Sequence, residues 1–312
     1  MTALTLAALA VLLSRFAPVL LARARLLDRV PRAAVVLWQA VAGAAVLAAV
    51  GAALAAPEEL VRALRGDRLR LDPVVLLAAA AAAALAGVIV LRLAVVALRL
   101  GVSLRRRRRR QRELLDLLDS PDPEHLRLHV LGGQVPMAYC VPGRPASVVV
   151  TEATLRMLSP SQLEAVVAHE RAHLRARHDL VLEGFTALHV SFPRFVRSRL
   201  ALEAVRRLLE MLADDGAVRR VGAAPLRQAL AELAPTADDG EIEARIARLG
   251  DVPAQAEADG HEGPQARAAT RGAPSSLPLS ALAYALALAV LAVPTVAIVS
   301  PWLRTALGAI GF

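Results

Sequence analysis

"VVAHERAHLRARHD", residues 166–179, places two histidines four positions apart, with a glutamate directly after the first. On a helix, residues four apart share a face at roughly 5–6 Å, so His169 and His173 can reach a single metal ion. Glu170 is offset by one position and falls beside the open side of that ion. The chemistry explains the spacing: two neutral nitrogen ligands leave zinc Lewis-acidic, and the neighbouring carboxylate takes a proton from bound water. The helix has a clear start, with Ser159 as N-cap, Pro160 at the first helical position and Gln162 completing a capping box. No breaker follows through Asp179, so the helix is expected to run that far. Leu163, Val166, Val167 and Leu174 give it a buried side, and its charges make it too polar to cross a bilayer.

HExxH also occurs in ordinary charged helices, and a catalytic zinc ion needs a third protein ligand. "RRLLEMLADDGAVRR", 206–220, sets Glu210 one turn before Asp214. Taken alone, this is a solvated acidic face. Beside the first motif, Glu210 reads as the third ligand and Asp214 as the acceptor of a hydrogen bond from a ligand histidine.

The remainder of the chain determines where such a site sits. Of 312 residues, 56% are hydrophobic, and the mean hydropathy is +0.49; soluble domains run at about 45–50% apolar, so part of this chain belongs in lipid. Four stretches reach the roughly 20 residues that span a bilayer: about 3–22, 33–56, 74–98 and 277–299. The first lacks a positively charged lead and precedes further spans, which favours a retained helix over a signal peptide. Arg15 and Arg92 within these spans are expected to snorkel or to face the bundle.

Arginine placement sets orientation. Arg23, Arg25, Arg29 and Arg32 follow the first span; Arg99, Arg105 to Arg110 and Arg112 follow the third. These lie on one side of an alternating topology, which should be cytoplasmic, whereas the loop at 57–73 balances its arginines with acids. Residues 100–276 then face the cytoplasm. The net charge of +9 comes largely from the run at 105–110. Its place after a span reads as stop-transfer and contact with anionic lipid; it lacks interleaved aromatics, so no nucleic-acid partner is expected.

Between the spans, "RELLDLLDSPDPEHL" begins helical, and short strand-like runs follow at "RLHVLGG", "PMAYCV" and "ASVVVT". Residues 159 to about 233 are mainly helical, and 250–276 read as a flexible tether. The single cysteine, Cys140, excludes an intrachain disulfide and reads as a small buried hydrophobe. His178 is expected at the surface, and His125, His129, His189 and His261 show no ligand spacing.

The stretch 136–179, followed by "EMLADD", resembles the BlaR/MecR-type integral-membrane zinc metallopeptidases and, more distantly, the Ste24/HtpX-type ones. That resemblance implies a cytoplasmic α+β gluzincin-like domain in which His169, His173 and Glu210 hold Zn2+ and Glu170 is the catalytic base. It also implies that "ASVVVT" at 146–151 is the edge strand that aligns a substrate backbone. Antibiotic-sensing members carry an extracellular penicillin-binding domain after the last span; here "SPWLRTALGAIGF" follows it, so β-lactam sensing is not expected. Ala213 stands before the Asp where that group often has Cys, as in the Ste24/HtpX-type pattern.

The expected protein is mainly α and polytopic, with about four transmembrane helices. Residues 1–100 form a three-helix membrane region, 101–249 the zinc peptidase domain, 250–276 a linker, and 277–312 the last span and tail. It is expected to hydrolyse a cytoplasmic or membrane-proximal protein or peptide at the cell membrane, in contact with the lipid bilayer. The alternative is a non-catalytic signalling or scaffold protein with a structural or vestigial metal site. Glu170 speaks against it, since a purely structural site needs no base there.

Overall fold

The structure, a computed structural model, describes residues 3–66, 73–118, 128–143, 146–191, 199–234, 240–250 and 277–309. The expected linker, 250–276, lies almost wholly outside the described residues. The chain divides into two compact units: Met1–Arg99 with Gly184–Val205 and Pro278–Phe312, and Leu100–Glu183 with Arg206–Leu277.

The first unit is built from apolar helices. α1 (Ala3–Val11) passes through a π-helical turn at Leu12–Phe16 into α2 (Ala17–Arg23). Pro18 near the start of α2 has no amide to give to the preceding turn, and the widened turn falls where that bond is lost. α1 packs along α3 (Pro31–Gly66). The buried side of α3 is mostly alanine, including Ala34, Ala44 and Ala48, which permits close helix approach. At Gly51 a Cβ would lie 2.8 Å from the Ile298 side chain of α11 (Leu277–Ala309) and 3.2 Å from that of Leu6. Leu4, Leu20, Leu282, Leu288 and Val296 point outward and exposed, as lipid-facing residues do.

Among the described residues, three stretches are long and apolar enough to cross a bilayer: Ala3–Arg23, Pro31–Ala55 and Leu277–Ser300. They coincide with the first, second and fourth expected spans. The third, about 74–98, lies on α4 (Pro73–Leu118), and many of its side chains fall outside those described. α4 continues unbroken through the arginine run into "RELLDLL".

The second unit holds a small sheet of β1 (Leu128–Leu131), β2 (Ala138–Val141) and β3 (Ser147–Thr151) in the order β1-β3-β2. β1 runs parallel to β3 and β2 antiparallel to it. This corrects one expectation: "ASVVVT" forms the central strand, not an edge. The physical reason is burial on both faces. Val148 and Val150 pack with Leu128 and with Val167 of α6 (Pro160–Ala176), while Val149 packs with Val141 on the other side. An unbroken β-branched run suits such a position. The loop between β1 and β2 is pinned by the buried hydroxyls of Thr151, which donates to Val135 O at 2.9 Å, and Thr154, which donates to Met137 O at 2.9 Å.

After α5 (Glu152–Met157), the expected capping box opens α6: Ser159 N donates to Gln162 Oε1 at 2.7 Å, and Gln162 N to Ser159 Oγ at 3.4 Å. α6 packs with α8 (Arg199–Val221), α9 (Ala223–Leu233) and α10 (Gly240–Gly250) around Ala165, Ala168, Ala217, Leu226, Leu230 and Leu249. It does not run to Asp179. Arg177 takes a left-handed conformation (φ 51°) and its amide donates to the His173 and Leu174 carbonyls, capping α6 ahead of α7 (His178–Ser191).

Candidate metal centre

α6 presents His169 and His173 one turn apart, and α8 brings Glu210 against both. The two Nε2 atoms face each other at 3.1 Å; Glu210 Oε2 lies 3.4 Å from His169 Nε2, and Oε1 lies 3.5 Å from His173 Nε2. These are the three expected ligands, and all their donor atoms fall within 4.8 Å of one another. The spacing suits zinc. Bonds of about 2.0–2.1 Å in tetrahedral array put neighbouring donor atoms about 3.3 Å apart, the separations found here. Two ring nitrogens and a carboxylate at this spacing could together hold one metal ion.

The close approach of α8 depends on Gly216. A Cβ there would stand 2.6 Å from the Cβ of Ala172, the residue directly before His173. The missing side chain lets α8 cross α6 closely enough for Glu210 to reach the histidines.

A further layer holds the ligands. Asp214 Oδ1, 1% exposed, lies 2.9 Å from His169 Nδ1. Arg245 on α10 donates to both Asp214 oxygens, at 2.9 Å from Nε and 2.6 Å from Nη2, and its Nη1 lies 3.2 Å from Glu210 Oε2. Next to it, Arg248 donates to Asp215 at 2.6 Å, so α10 is clipped to α8 twice. His178 departs from its expected surface position. It is 6% exposed, and its Nδ1 lies 3.0 Å from His173 Nδ1. The left-handed turn at Arg177 folds it back under His173.

The charges follow this geometry. Burial pulls the His169 imidazolium down, but Asp214 and Glu210 outweigh it and hold the group up at about 9. Glu210 stays ionised despite burial, because the two histidines hold its carboxyl well below the usual carboxylate range. His169 and Arg245 likewise keep Asp214 low against its burial. Burial, then the charge of His173, lower His178 to about 4, so it stays a neutral imidazole near neutral pH. Glu170 is pushed up, foremost by burial and further by Glu210, against the pull of His169 and His173.

Cys140 on β2 is half-buried rather than a core hydrophobe. Burial, and after it the Glu170 charge, pushes its thiol up to about 12. Cys140 also lines a cavity of about 190 Å³ with Pro142, Leu174, Leu182 and Leu209, bordered by His173 and Glu210.

Residues 102–202 match the model of peptidase family M48, whose members are zinc metallopeptidases. The matched stretch takes in the arginine end of α4, the sheet and the HExxH helix, about a third of the chain. No curated protein and no solved structure matches the chain. The match supports a metallopeptidase of that family and does not extend to the BlaR/MecR-type subgroup. Glu210, Asp214 and Arg245 lie beyond the matched residues and stand on geometry alone.

Proposed function

We propose that this chain is a multi-pass zinc endopeptidase of the cell membrane, with its peptidase unit on the cytoplasmic side and α4 as the third of four spans. The carrying observation is the triangle of His169, His173 and Glu210 at zinc-ligand spacing. In this reading those three side chains hold Zn2+, which when bound polarises the scissile carbonyl and acidifies a water molecule. Glu170 accepts that water's proton and later delivers it to the leaving amine. A carboxyl raised by burial, yet drawn down by two neighbouring histidines, suits a group that must both take and release a proton. Asp214 and His178 fix the ring orientations of the two histidines through their Nδ1 atoms.

β3 is interior, so the substrate backbone pairs with β2, whose outer edge is free of strands among the described residues. Cys140 on that strand borders the same cavity as His173 and Glu210. The apolar walls of the cavity accept an aliphatic side chain next to the scissile bond. Substrates are therefore extended protein or peptide segments near the membrane. The BlaR/MecR-like sequence features favour regulated cleavage in a signalling role.

The test is zinc content and cleavage of a disordered protein such as casein, with detergent-purified full chain. Wild type and Glu170→Gln should each hold one zinc, and only wild type should cut. Glu210→Ala should lose the metal. A wild type that takes up no zinc under zinc-replete conditions overturns the reading.

A further inference from the structure

The arginine run is untouched by this chemistry. We infer that Arg105–Arg110 of α4 form a collar that binds the phosphate groups of anionic phospholipids. The inference rests on the reading of α4 as a membrane span.

The angular distribution of the run selects the partner. Successive helical residues turn by about 100°, so six in a row pass more than once around the axis. A duplex nucleic acid or an acidic protein lying along the helix would be met by a stripe on one face, recurring every three or four residues. A layer of headgroups pierced by a helix surrounds it, and a ring of charge answers that geometry.

Depth agrees. The apolar stretch of α4 ends at about Leu98, and Arg105 follows about 10 Å further along at 1.5 Å per residue. The headgroup region reaches roughly 5–8 Å beyond the hydrocarbon on each side, within reach of Arg105 when it folds back, and the potential of its phosphates extends about a further 8 Å, over most of the rest of the run. Arg105 does fold back: its Nε donates to Gly101 O, one turn towards the apolar half, at 3.1 Å.

Charge balance points the same way. Residues 105–110 contain no acid. Arg109 is answered within the helix by Glu113 at 2.9 Å, with both side chains well exposed. Arg105, Arg106 and Arg110 are exposed as well. Like charges one turn apart repel, so the run gains most from anions supplied by its surroundings, and a layer of lipid phosphates supplies them on every side.

The test uses the full chain in phosphatidylcholine vesicles with a minority of phosphatidylglycerol, excised by a styrene–maleic acid polymer that retains the surrounding lipid. One arginine near an anionic surface contributes about a fivefold preference. Wild type should therefore carry phosphatidylglycerol at about five times the bulk ratio, and the combined Arg105→Gln, Arg106→Gln, Arg107→Gln, Arg108→Gln, Arg109→Gln and Arg110→Gln variant should return to the bulk ratio. Equal enrichment in both proteins overturns the inference. So does displacement of phosphatidylglycerol from wild type by a uridine oligonucleotide at physiological salt, which would make the run a nucleic-acid site. A fluorophore on Ser103→Cys in a Cys140→Ser background separates the two readings. Quenching by headgroup-depth lipid probes without enrichment removes the collar and leaves the span. A fully water-exposed label removes the span, and the collar with it.

Discussion

Arg245→Met tests whether α10 holds the metal centre together. The substitution keeps the unbranched apolar stem of the side chain and deletes its charge and hydrogen bonds. Arg245 makes two charge-assisted bonds to Asp214, at 2.9 and 2.6 Å, and its Nη1 lies 3.2 Å from Glu210. Its side chain is 13% exposed and that of Asp214 1%, so this is a buried pair. Removing one partner of such a pair costs about 3–5 kcal/mol, because the other charge is left without compensation. At the lower end, with Asp214 still near His169, a unit of this size should lose roughly 6–12 °C in Tm. Glu210 and Asp214 both lose their anchor, and weakening such support typically costs about 10–100-fold in metal affinity. Zinc competition against a chromophoric chelator reads the affinity, and differential scanning fluorimetry of the full chain in detergent reads the Tm. Arg245→Lys, which keeps the charge without the fork, should fall between the two. Adding Asp214→Asn to Arg245→Met should cost less than the two singles together, since the stranded charge is gone. Wild-type zinc affinity and Tm in Arg245→Met would refute the reasoning.

Three more substitutions or conditions probe the same centre. Gly216→Ala puts a Cβ 2.6 Å from that of Ala172; overpacking of about 1–3 kcal/mol should outweigh the helix-propensity gain of about 1 kcal/mol, lowering Tm and zinc content. Ala172→Gly added to it should restore part of both, and a fully wild-type single variant would show that this crossing does not set the centre. Cys140, raised to about 12 by burial and by Glu170, should be about one part in ten thousand thiolate at pH 8 and alkylate roughly a thousandfold more slowly than an ordinary exposed cysteine. Glu170→Gln should speed the reaction, and prompt labelling of wild type would contradict the contact. In metal-free protein, burial lowers His169 but Asp214 and Glu210 hold it up at about 9, so its proton stabilises the fold fully below the unfolded value near 6.5. That contribution is lost as pH rises through about 9. Chelator-treated protein should therefore lose Tm between about pH 6.5 and 9 while zinc-loaded protein does not, and parallel profiles would remove His169 from the ligand set.

What could be read in advance follows the range of the interactions. The capping box at Ser159, the histidine pair on α6 and the Glu210–Asp214 pair on α8 are local patterns, fixed within one or two helical turns, and each appears where the sequence places it. The errors are non-local. "ASVVVT" carries no mark of whether one strand or two will pair with it, although its unbroken valine run is a signal for an interior strand. His178 lies beyond the motif, and a continuous helix would carry it away from His173; a non-glycine residue in the left-handed region at Arg177 breaks that periodicity. Arg245 lies 31 residues beyond Asp214 in an amphipathic segment with several arginines, and nothing local separates it from Arg248. Gly216 did leave a trace, as a glycine inside a helix costs about 1 kcal/mol relative to alanine and calls for a packing reason.

The two histidines are backed differently, and that difference bears on how the centre divides its work. His169 Nδ1 faces the Asp214 carboxylate, whereas His173 Nδ1 faces the imidazole of His178, held neutral by burial and by the charge of His173. A carboxylate partner makes an imidazole the stronger electron donor, so in the proposed centre His169 would be the firmer ligand and His173 the weaker one. Arg245 works in the opposite direction. Its guanidinium touches both Asp214 and Glu210, so the two carboxylates and the arginine together leave one net negative charge. A divalent cation among them would then keep a net positive charge for the ionised Glu170 to face. Without Arg245, the carboxylates alone would cancel the cation, and the electrostatic gain from polarising a carbonyl or a water would shrink. Holding the third ligand in place and sparing the charge of the metal are thus one task for one side chain. Arg245→Lys separates them, because lysine preserves the charge and loses the two-pronged grip on Asp214.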